Sequence, residues 1–162
     1  MPSNIILDGM IAEDLWQVVD KDAIDVPEGL AIIPQALWNS NKASFAQRKE
    51  IGVWLDSEEP PQLIADDLEN FSLIAINFGG FMDGRGFSYA RELREAYNFK
   101  GEIRAIGSFL RDQLFYLKRC GFNSFALKDT DQEEALASLE VFSDSYQAGA
   151  DQPIPLFSRR ED

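Results

Sequence analysis

Residues 73–97 read LIAINFGGFMDGRGFSYARELREAY, and they predict one complete strand–loop–helix unit. The first six residues are β-formers in a run too short for a helix, which is typical of a parallel strand that is buried on both faces. Apolar residues at positions 90, 93 and 97 then recur at helical spacing, so they predict an amphipathic helix. The glycine-rich stretch between the two patterns predicts a loop.

The same alternation extends along most of the chain. Short apolar runs at 30–33, 51–55, 102–106 and 124–127 predict four further strands. Helical patterns separate or follow them. Their apolar faces are Ile64, Leu68 and Phe71 after a cap at Asp56-Ser57; Leu110, Leu114 and Leu117 before Cys120-Gly121; and Ala135, Leu136, Leu139 and Phe142 after a capping box at 130–133.

These repeats predict the α/β class. Short right-handed crossovers place five strands in a parallel sheet, either open or half-barrel-like, because a complete eight-unit barrel needs about 250 residues. An Asp8-Gly9 turn between β-formers predicts an N-terminal β-hairpin before the sheet. We expect one domain over residues 1–147 and an extended tail over 148–162, which holds Pro153 and Pro155.

The amino-acid composition excludes several classes of function. With 15 Lys and Arg against 28 Asp and Glu, the 162-residue chain carries a formal charge of −13, which disfavours nucleic acid and anionic membrane surfaces as partners. The chain has no histidine and only Cys120 as a thiol, so a Ser-His-Asp triad, a Cys-His pair and a CxxC motif are excluded. We expect no metal site and a cytoplasmic protein, since no signal peptide or membrane span is evident.

The loop and helix start at 79–88 form the candidate ligand site. Free backbone N–H groups at a helix N-terminus attract anions, and Arg85 adds a bidentate donor. The predicted oxyanion-binding residues are Asp83, Gly84, Arg85, Gly86, Ser88, Ser108 and Arg111. The alternative is structural: the glycines supply turn conformations, Arg85 pairs with Asp83 or another carboxylate of this acidic chain, and Arg111 ties its helix to the sheet. No Walker A or Rossmann fingerprint is present.

Apolar residues outside the core patterns suggest a second kind of site. Phe81 and Met82 in the loop, with Phe157 in the tail, predict a protein-binding patch, while most other aromatic residues are expected to pack in the core. Cys120 falls at a helix C-terminus, where the dipole disfavours a thiolate, so we assign it to packing.

Three segments carry a family resemblance. They are FMDGRGFSYAR at 81–91, GEIRAIG at 101–107 and LRDQLF at 110–115. Together with Asp8-Gly9, the RCGF at 119–122 and the PLF at 155–157, they resemble the bacterial domain of unknown function 934 family over nearly the whole chain.

That family is often described as an oxidoreductase probably involved in sulfite reduction, and no catalytic residues come with the description. Sulfite reduction needs siroheme, iron–sulfur or flavin cofactors, and one cysteine cannot ligate an iron–sulfur cluster in the usual way. The resemblance therefore implies an accessory protein of assimilatory sulfite reduction, without a cofactor of its own, whose partner is the sulfite reductase hemoprotein. The alternatives are a small oxyanion-binding enzyme or sensor and a homo-oligomeric scaffold.

Overall fold

The computed structural model describes residues 4–79, 84–109, 111–127 and 132–141. Within these ranges the chain forms a single eight-stranded sheet in the order β2-β1-β8-β7-β6-β5-β4-β3, with helices between the parallel strands. The strands are β1 (Asn4–Leu7), β2 (Met10–Glu13), β3 (Gln17–Val18), β4 (Ala31–Pro34), β5 (Gly52–Leu55), β6 (Leu73–Phe78), β7 (Glu102–Gly107) and β8 (Ser124–Phe125). The sheet is curled into a half-barrel.

The five predicted strands are confirmed as β4 to β8, which lie side by side in chain order and are all parallel. The prediction of a five-stranded parallel sheet is wrong on two points: the sheet has more strands, and some of its strand pairs are antiparallel. β3 adds a sixth parallel strand beside β4, and β1 pairs antiparallel with β8. β3 has only two residues, both exposed, so it carries no apolar run that the sequence could reveal.

The N-terminal hairpin is confirmed. β1 and β2 pair antiparallel, and the two turn residues have positive φ angles, 52° at Asp8 and 78° at Gly9. These angles are those of a two-residue type I′ turn, which Asp-Gly favours. The Asp8 N–H donates to the Asn123 carbonyl at 2.8 Å, and this bond holds the turn beside the start of β8.

The helices before β8 connect consecutive parallel strands, and α5 follows β8. They are α1 (Gln35–Ser40), α2 (Lys42–Phe45), α3 (Gly84–Glu95), α4 (Leu114–Cys120) and α5 (Gln132–Val141), with 3₁₀ helices at Pro61–Asn70 and Arg111–Gln113. Strands in chain order joined by right-handed crossovers place every connection on the same face of the sheet. This helix-covered face is the convex one, and the larger core lies on it. That core contains the predicted apolar residues Ile64, Ala90, Leu93, Leu114, Leu117, Ala135 and Leu139.

One predicted helix differs from its expectation. The segment after β5 begins at Pro61 rather than at the expected cap Asp56-Ser57, and it is a 3₁₀ helix. Pro60 and Pro61 lack N–H groups, and a residue before proline disfavours the helical conformation, so the helix starts only after the first proline. The helix end expected at Cys120-Gly121 is confirmed, with φ of 121° at Gly121. The predicted cap at 130–131 and the tail 148–162 lie outside the described residues.

The short link between β2 and β3 explains why the sheet is strongly curled. β2 and β3 are the two edge strands, yet only residues 14–16, here called the strap, separate them. An extended chain covers at most about 3.6 Å per residue, so Glu13 and Gln17 lie within about 14 Å of each other. The strap therefore passes across the concave side of the sheet and joins its two edges.

Candidate functional site

A cavity of about 410 Å³ lies on the concave side of the sheet. Asn77, Gly107 and Leu127 lie at or just after the carboxyl ends of β6, β7 and β8, which is where ligands bind in parallel α/β sheets. The full lining is Asn4, Ile5, Asp14, Val18, Asp20, Trp54, Asn77, Ile106, Gly107, Ala126 and Leu127. The N-terminal segment and the parallel strands thus build the cavity together.

A buried ion network lies on the amino-terminal side of this cavity. Arg104 on β7 is only 1 % exposed, and its guanidinium donates to Glu102 Oε2 at 2.7 Å and to Asp14 Oδ1 at 2.8 Å. Its Nε also donates to Ser124 Oγ at 3.0 Å. A buried charge is tolerated only when it is paired in this way. The network ties the strap to β7.

The side chain of Trp16, also in the strap, fills the concave space next to this ion network. It packs against the small concave-face core, which includes Ile32, Trp54 and Leu73. A Cβ placed on Gly52 would lie 3.3 Å from the Trp16 ring and 3.2 Å from Ile32, so the missing side chain at position 52 makes room for the ring. The strap thereby occupies the concave interior on the side away from the carboxyl ends of the strands.

At the carboxyl ends of β6 and β7, Gly107 packs tightly against Asn77. A Cβ on Gly107 would lie 2.4 Å from Asn77 Oδ1 and 2.3 Å from the Phe78 carbonyl, and its φ is +88°. Both facts require glycine at this position. The next N–H, from Ser108, donates to the Phe78 carbonyl at 2.7 Å. The side-chain amide of Asn77 is thus held in place at the wall of the cavity.

Trp54 provides the largest apolar part of the wall. Its Nε1 donates to the Val19 carbonyl at 2.9 Å, which satisfies the indole, and the Lys21 ammonium lies 5.5 Å from the ring centroid. Lys21 also pairs with Asp56 at 3.1 Å. This hydrogen bond is the main reason that the pKa of Lys21 is raised above its ordinary value. Lys21 is therefore a charged lysine that is already engaged by carboxylates.

Asp56 extends this polar cluster from the end of β5. Burial acts to raise the pKa of Asp56, but hydrogen bonds from Lys21, the Ser57 N–H and Asn77 outweigh it, so the pKa lies below its ordinary value. The Asn77 amide donates to Asp56 Oδ1 at 3.3 Å. Glu59 continues the cluster, since it accepts from Gln35 at 3.0 Å. The rim beside the cavity is thus ordered and acidic.

The residues predicted to bind an oxyanion are only partly brought together. Gly84, Arg85, Gly86 and Ser88 lie among the first five residues of α3, directly beyond the carboxyl end of β6, with Arg85 and Ser88 exposed. Ser108 follows the neighbouring strand β7 and is also exposed, and Arg111 begins the 3₁₀ helix beyond it. Asp83, Phe81, Met82 and Phe157 lie outside the described residues.

Gly86 has a clear packing role. A Cβ at this position would lie 2.4 Å from Cε1 of Phe78, and that ring contacts Phe87, Phe109 and Phe122 at centroid distances of 5.5–6.3 Å. This role differs from the turn conformation that the structural alternative gave to the glycines, because Gly86 lies within α3. It allows α3 to approach the end of β6.

Sequence reasoning found some of the cavity and missed the rest. Asn77 and Gly107 lie at the ends of two predicted strands, so the rule that ligands bind at the carboxyl ends of parallel strands points to both. Asp14, Val18 and Asp20 were missed, because they lie in and beyond the strap, where no strand–helix repeat is visible. The only signal was composition: residues 10–25 mix carboxylates with large apolar residues.

Neither a metal cluster nor a membrane span is found within the described ranges. No group of three or more His, Cys, Asp or Glu residues is placed there to hold a metal ion. None of the helices in those ranges is both long and apolar enough to cross a membrane. Cys120 is 1 % exposed, and burial raises the pKa of its thiol despite the nearby Arg91 guanidinium.

A family model described as "Bacterial protein of unknown function (DUF934)" matches residues 52–157, which is 106 of the 162 residues. The chain belongs to this family. The match begins at β5, so the N-terminal hairpin, the strap and β4 precede it. No curated protein and no solved structure matches the chain. The resemblance seen in the sequence is thus confirmed, and the family's description assigns no activity.

Proposed function

We propose that the protein is an accessory protein of assimilatory sulfite reduction, which docks on the sulfite reductase hemoprotein and carries no redox centre of its own. The observation that supports docking is a run of exposed apolar side chains in an acidic setting near the N-terminus. The identity of the partner comes from the family resemblance. The two parts of the proposal are tested separately below.

Residues 10–25, here called the docking segment, carry the apolar surface. Among described residues, six large apolar side chains are exposed, and four of them belong to this segment: Met10, Leu15, Val18 and Ile24, with 96 % exposure at Ile24. Isolated exposed apolar residues are ordinary, but several within one short segment are typical of interaction surfaces. The docking segment is therefore our candidate for the partner contact.

Charged side chains, mostly carboxylates, lie among these exposed apolar residues. The docking segment holds five carboxylates and one lysine. One of the five, Asp14, is paired with Arg104, and Asp20, Asp22 and Asp25 are exposed. Such a surface complements a partner with an apolar centre and a basic rim, and opposite charges speed the encounter of two proteins. Binding should therefore weaken as salt is added.

Cys120 gives no support to redox chemistry within this chain. Thiol–disulfide chemistry needs an accessible thiolate, whereas this thiol is buried and its pKa is raised. An accessory role is consistent with this environment, because it requires the chain to position or stabilise another protein rather than to transfer electrons.

The test is an affinity purification of the tagged protein from sulfate-grown cells of its own source at low and at high salt. Mass spectrometry and a visible spectrum of the eluate would detect a siroheme protein. We expect the reductase at low salt, its loss on charge reversal by Asp22→Lys with Asp25→Lys, and weaker recovery with Ile24→Ser. The control is Glu69→Lys, at an exposed acidic position outside the docking segment.

Two results would overturn the proposal. One is the absence of any siroheme protein at low salt together with unchanged sulfite reduction after deletion of the gene. The other is equal recovery with the docking-segment variants and with Glu69→Lys. The second result would reject the surface while retaining the partner.

A second candidate is an oxyanion-binding enzyme or sensor that uses the start of α3. Its support is that Arg85 in the first turn and Ser88 at the start of the second turn are exposed on a 12-residue helix directly beyond β6, where the helix dipole favours an anion. Calorimetric titration with sulfite, sulfate and phosphate tests it. Saturable binding that disappears in Arg85→Ala would support it, and equal heats for both proteins would reject it.

A further inference from the structure

We propose that the concave-face cavity binds a small organic cation, namely an ammonium group carried on an apolar skeleton about the size of a phenyl ring. This inference is independent of the proposed partner, because the ligand would bind the isolated protein. It follows from the shape of the cavity, from its apolar wall and from the signs of the charges at its edge.

The apolar wall of the cavity explains why the proposed ligand has an apolar skeleton. Trp54, Ile106, Leu127, Ala126, Ile5 and Val18 provide most of the lining, and a volume of about 410 Å³ lies in the range of small-molecule sites. Trp54 cannot turn away easily, because its indole nitrogen is held by the Val19 carbonyl. A flat hydrocarbon group would therefore meet an ordered aromatic surface.

The charged residues at the cavity explain why the proposed ligand is a cation. Among the residues that the structure describes, the ionisable ones that line the cavity are Asp14 and Asp20. The described cations beside the cavity are already paired with carboxylates: Arg104 with Glu102 and Asp14, and Lys21 with Asp56 and Glu59. Among these residues, an anion would meet carboxylates and cations that are already neutralised, whereas an ammonium group would be attracted.

Asp20 is the specific partner for the ammonium group. Asp14 is already compensated by Arg104 at 2.8 Å. The Asp20 carboxylate, in contrast, makes no hydrogen bond or ion pair with any residue in the described ranges, although its backbone carbonyl accepts from Ala23. One uncompensated carboxylate beside an apolar wall suits a monovalent amine.

Three probes of similar size separate charge from shape. We would titrate the isolated full chain with phenethylammonium, 2-phenylethanol and phenylacetate, following calorimetric heats and amide shifts by NMR at low salt. We expect affinity to fall in that order. The variant Asp20→Asn should weaken the ammonium probe by about fivefold, the effect of one partly exposed ion pair, and should leave the alcohol unchanged. Asp66→Asn, at an exposed carboxylate outside the cavity, is the matched control.

A second variant tests the location. Val18→Trp places a larger side chain at a half-exposed position in the lining, and it should abolish binding of all three probes while far-ultraviolet circular dichroism stays unchanged. Phenylacetate binding as tightly as the ammonium probe would overturn the proposal, as would binding of neither. An equal loss in Asp20→Asn and Asp66→Asn would also overturn it, because the effect would then reflect net charge alone.

Discussion

Replacing Arg104 by methionine should destabilise the protein strongly. The substitution preserves most of the apolar stem but removes the group that compensates Glu102 and Asp14, whose side chains are only 16 % and 17 % exposed. Removing one partner of a buried ion network costs about 3–5 kcal/mol in the free energy of unfolding. For a chain of this length, that loss lowers the melting temperature by roughly 6–20 °C.

Urea unfolding followed by tryptophan fluorescence measures this loss. Arg91→Met is the control, since its pair with Glu95 at 3.2 Å is exposed and is worth at most about 0.5 kcal/mol. A double-mutant cycle with Asp14→Ala isolates the contact between strap and sheet, and it should give a coupling free energy above about 1 kcal/mol. The argument fails if Arg104→Met and Arg91→Met unfold at the same urea concentration.

Further predictions concern packing, pH and thiol reactivity. Gly86→Ala should destabilise by about 1–3 kcal/mol, because its methyl group would overlap the Phe78 ring; Gly79→Ala, with nothing within 4 Å, should be neutral in the same urea experiment. The pKa of Asp56 is lowered by folding, so its stabilising contribution is complete above the unfolded pKa of about 4 and is lost as pH falls through the lower folded value. Asp56→Asn should therefore flatten the acid limb of a stability–pH profile, and an unchanged limb would contradict the assignment. Cys120 should react with a thiol reagent only at the rate of unfolding, because it is buried with a raised pKa; immediate labelling of the native protein would refute this.

The parts of the fold with a strong local signal were predictable. The run at 73–78 is β6 at the same bounds, and the Asp8-Gly9 turn has the positive φ angles that its residues favour. In each case the physical cause lies within a few neighbouring residues. Burial on both faces requires a continuous apolar run, and a two-residue hairpin requires left-handed backbone.

The elements that depend on distant residues were not predictable. β3 is a two-residue strand, and its side chains are exposed, so only its pairing with β4 defines it. Arg104 interrupts an apolar strand, and nothing near it in sequence indicates that Asp14, 90 residues earlier, is its partner. The cavity edge at Asp20 was missed for the same reason, since the strap brings it to strands that follow much later in the chain.

The strap also constrains the order of events during synthesis. Its partner Arg104 follows it by 90 residues, and Asp8 in the hairpin bonds to Asn123, 115 residues later. A chain that leaves the ribosome from its N-terminus must therefore release residues 4–18 long before their partners exist. The parallel strands can assemble one after another as they emerge, whereas residues 4–18, which are made before them, find their place last. The closing of the sheet is thus a late step that reports on completion of β8, and nascent chains truncated before residue 124 should leave residues 4–18 open to proteolysis.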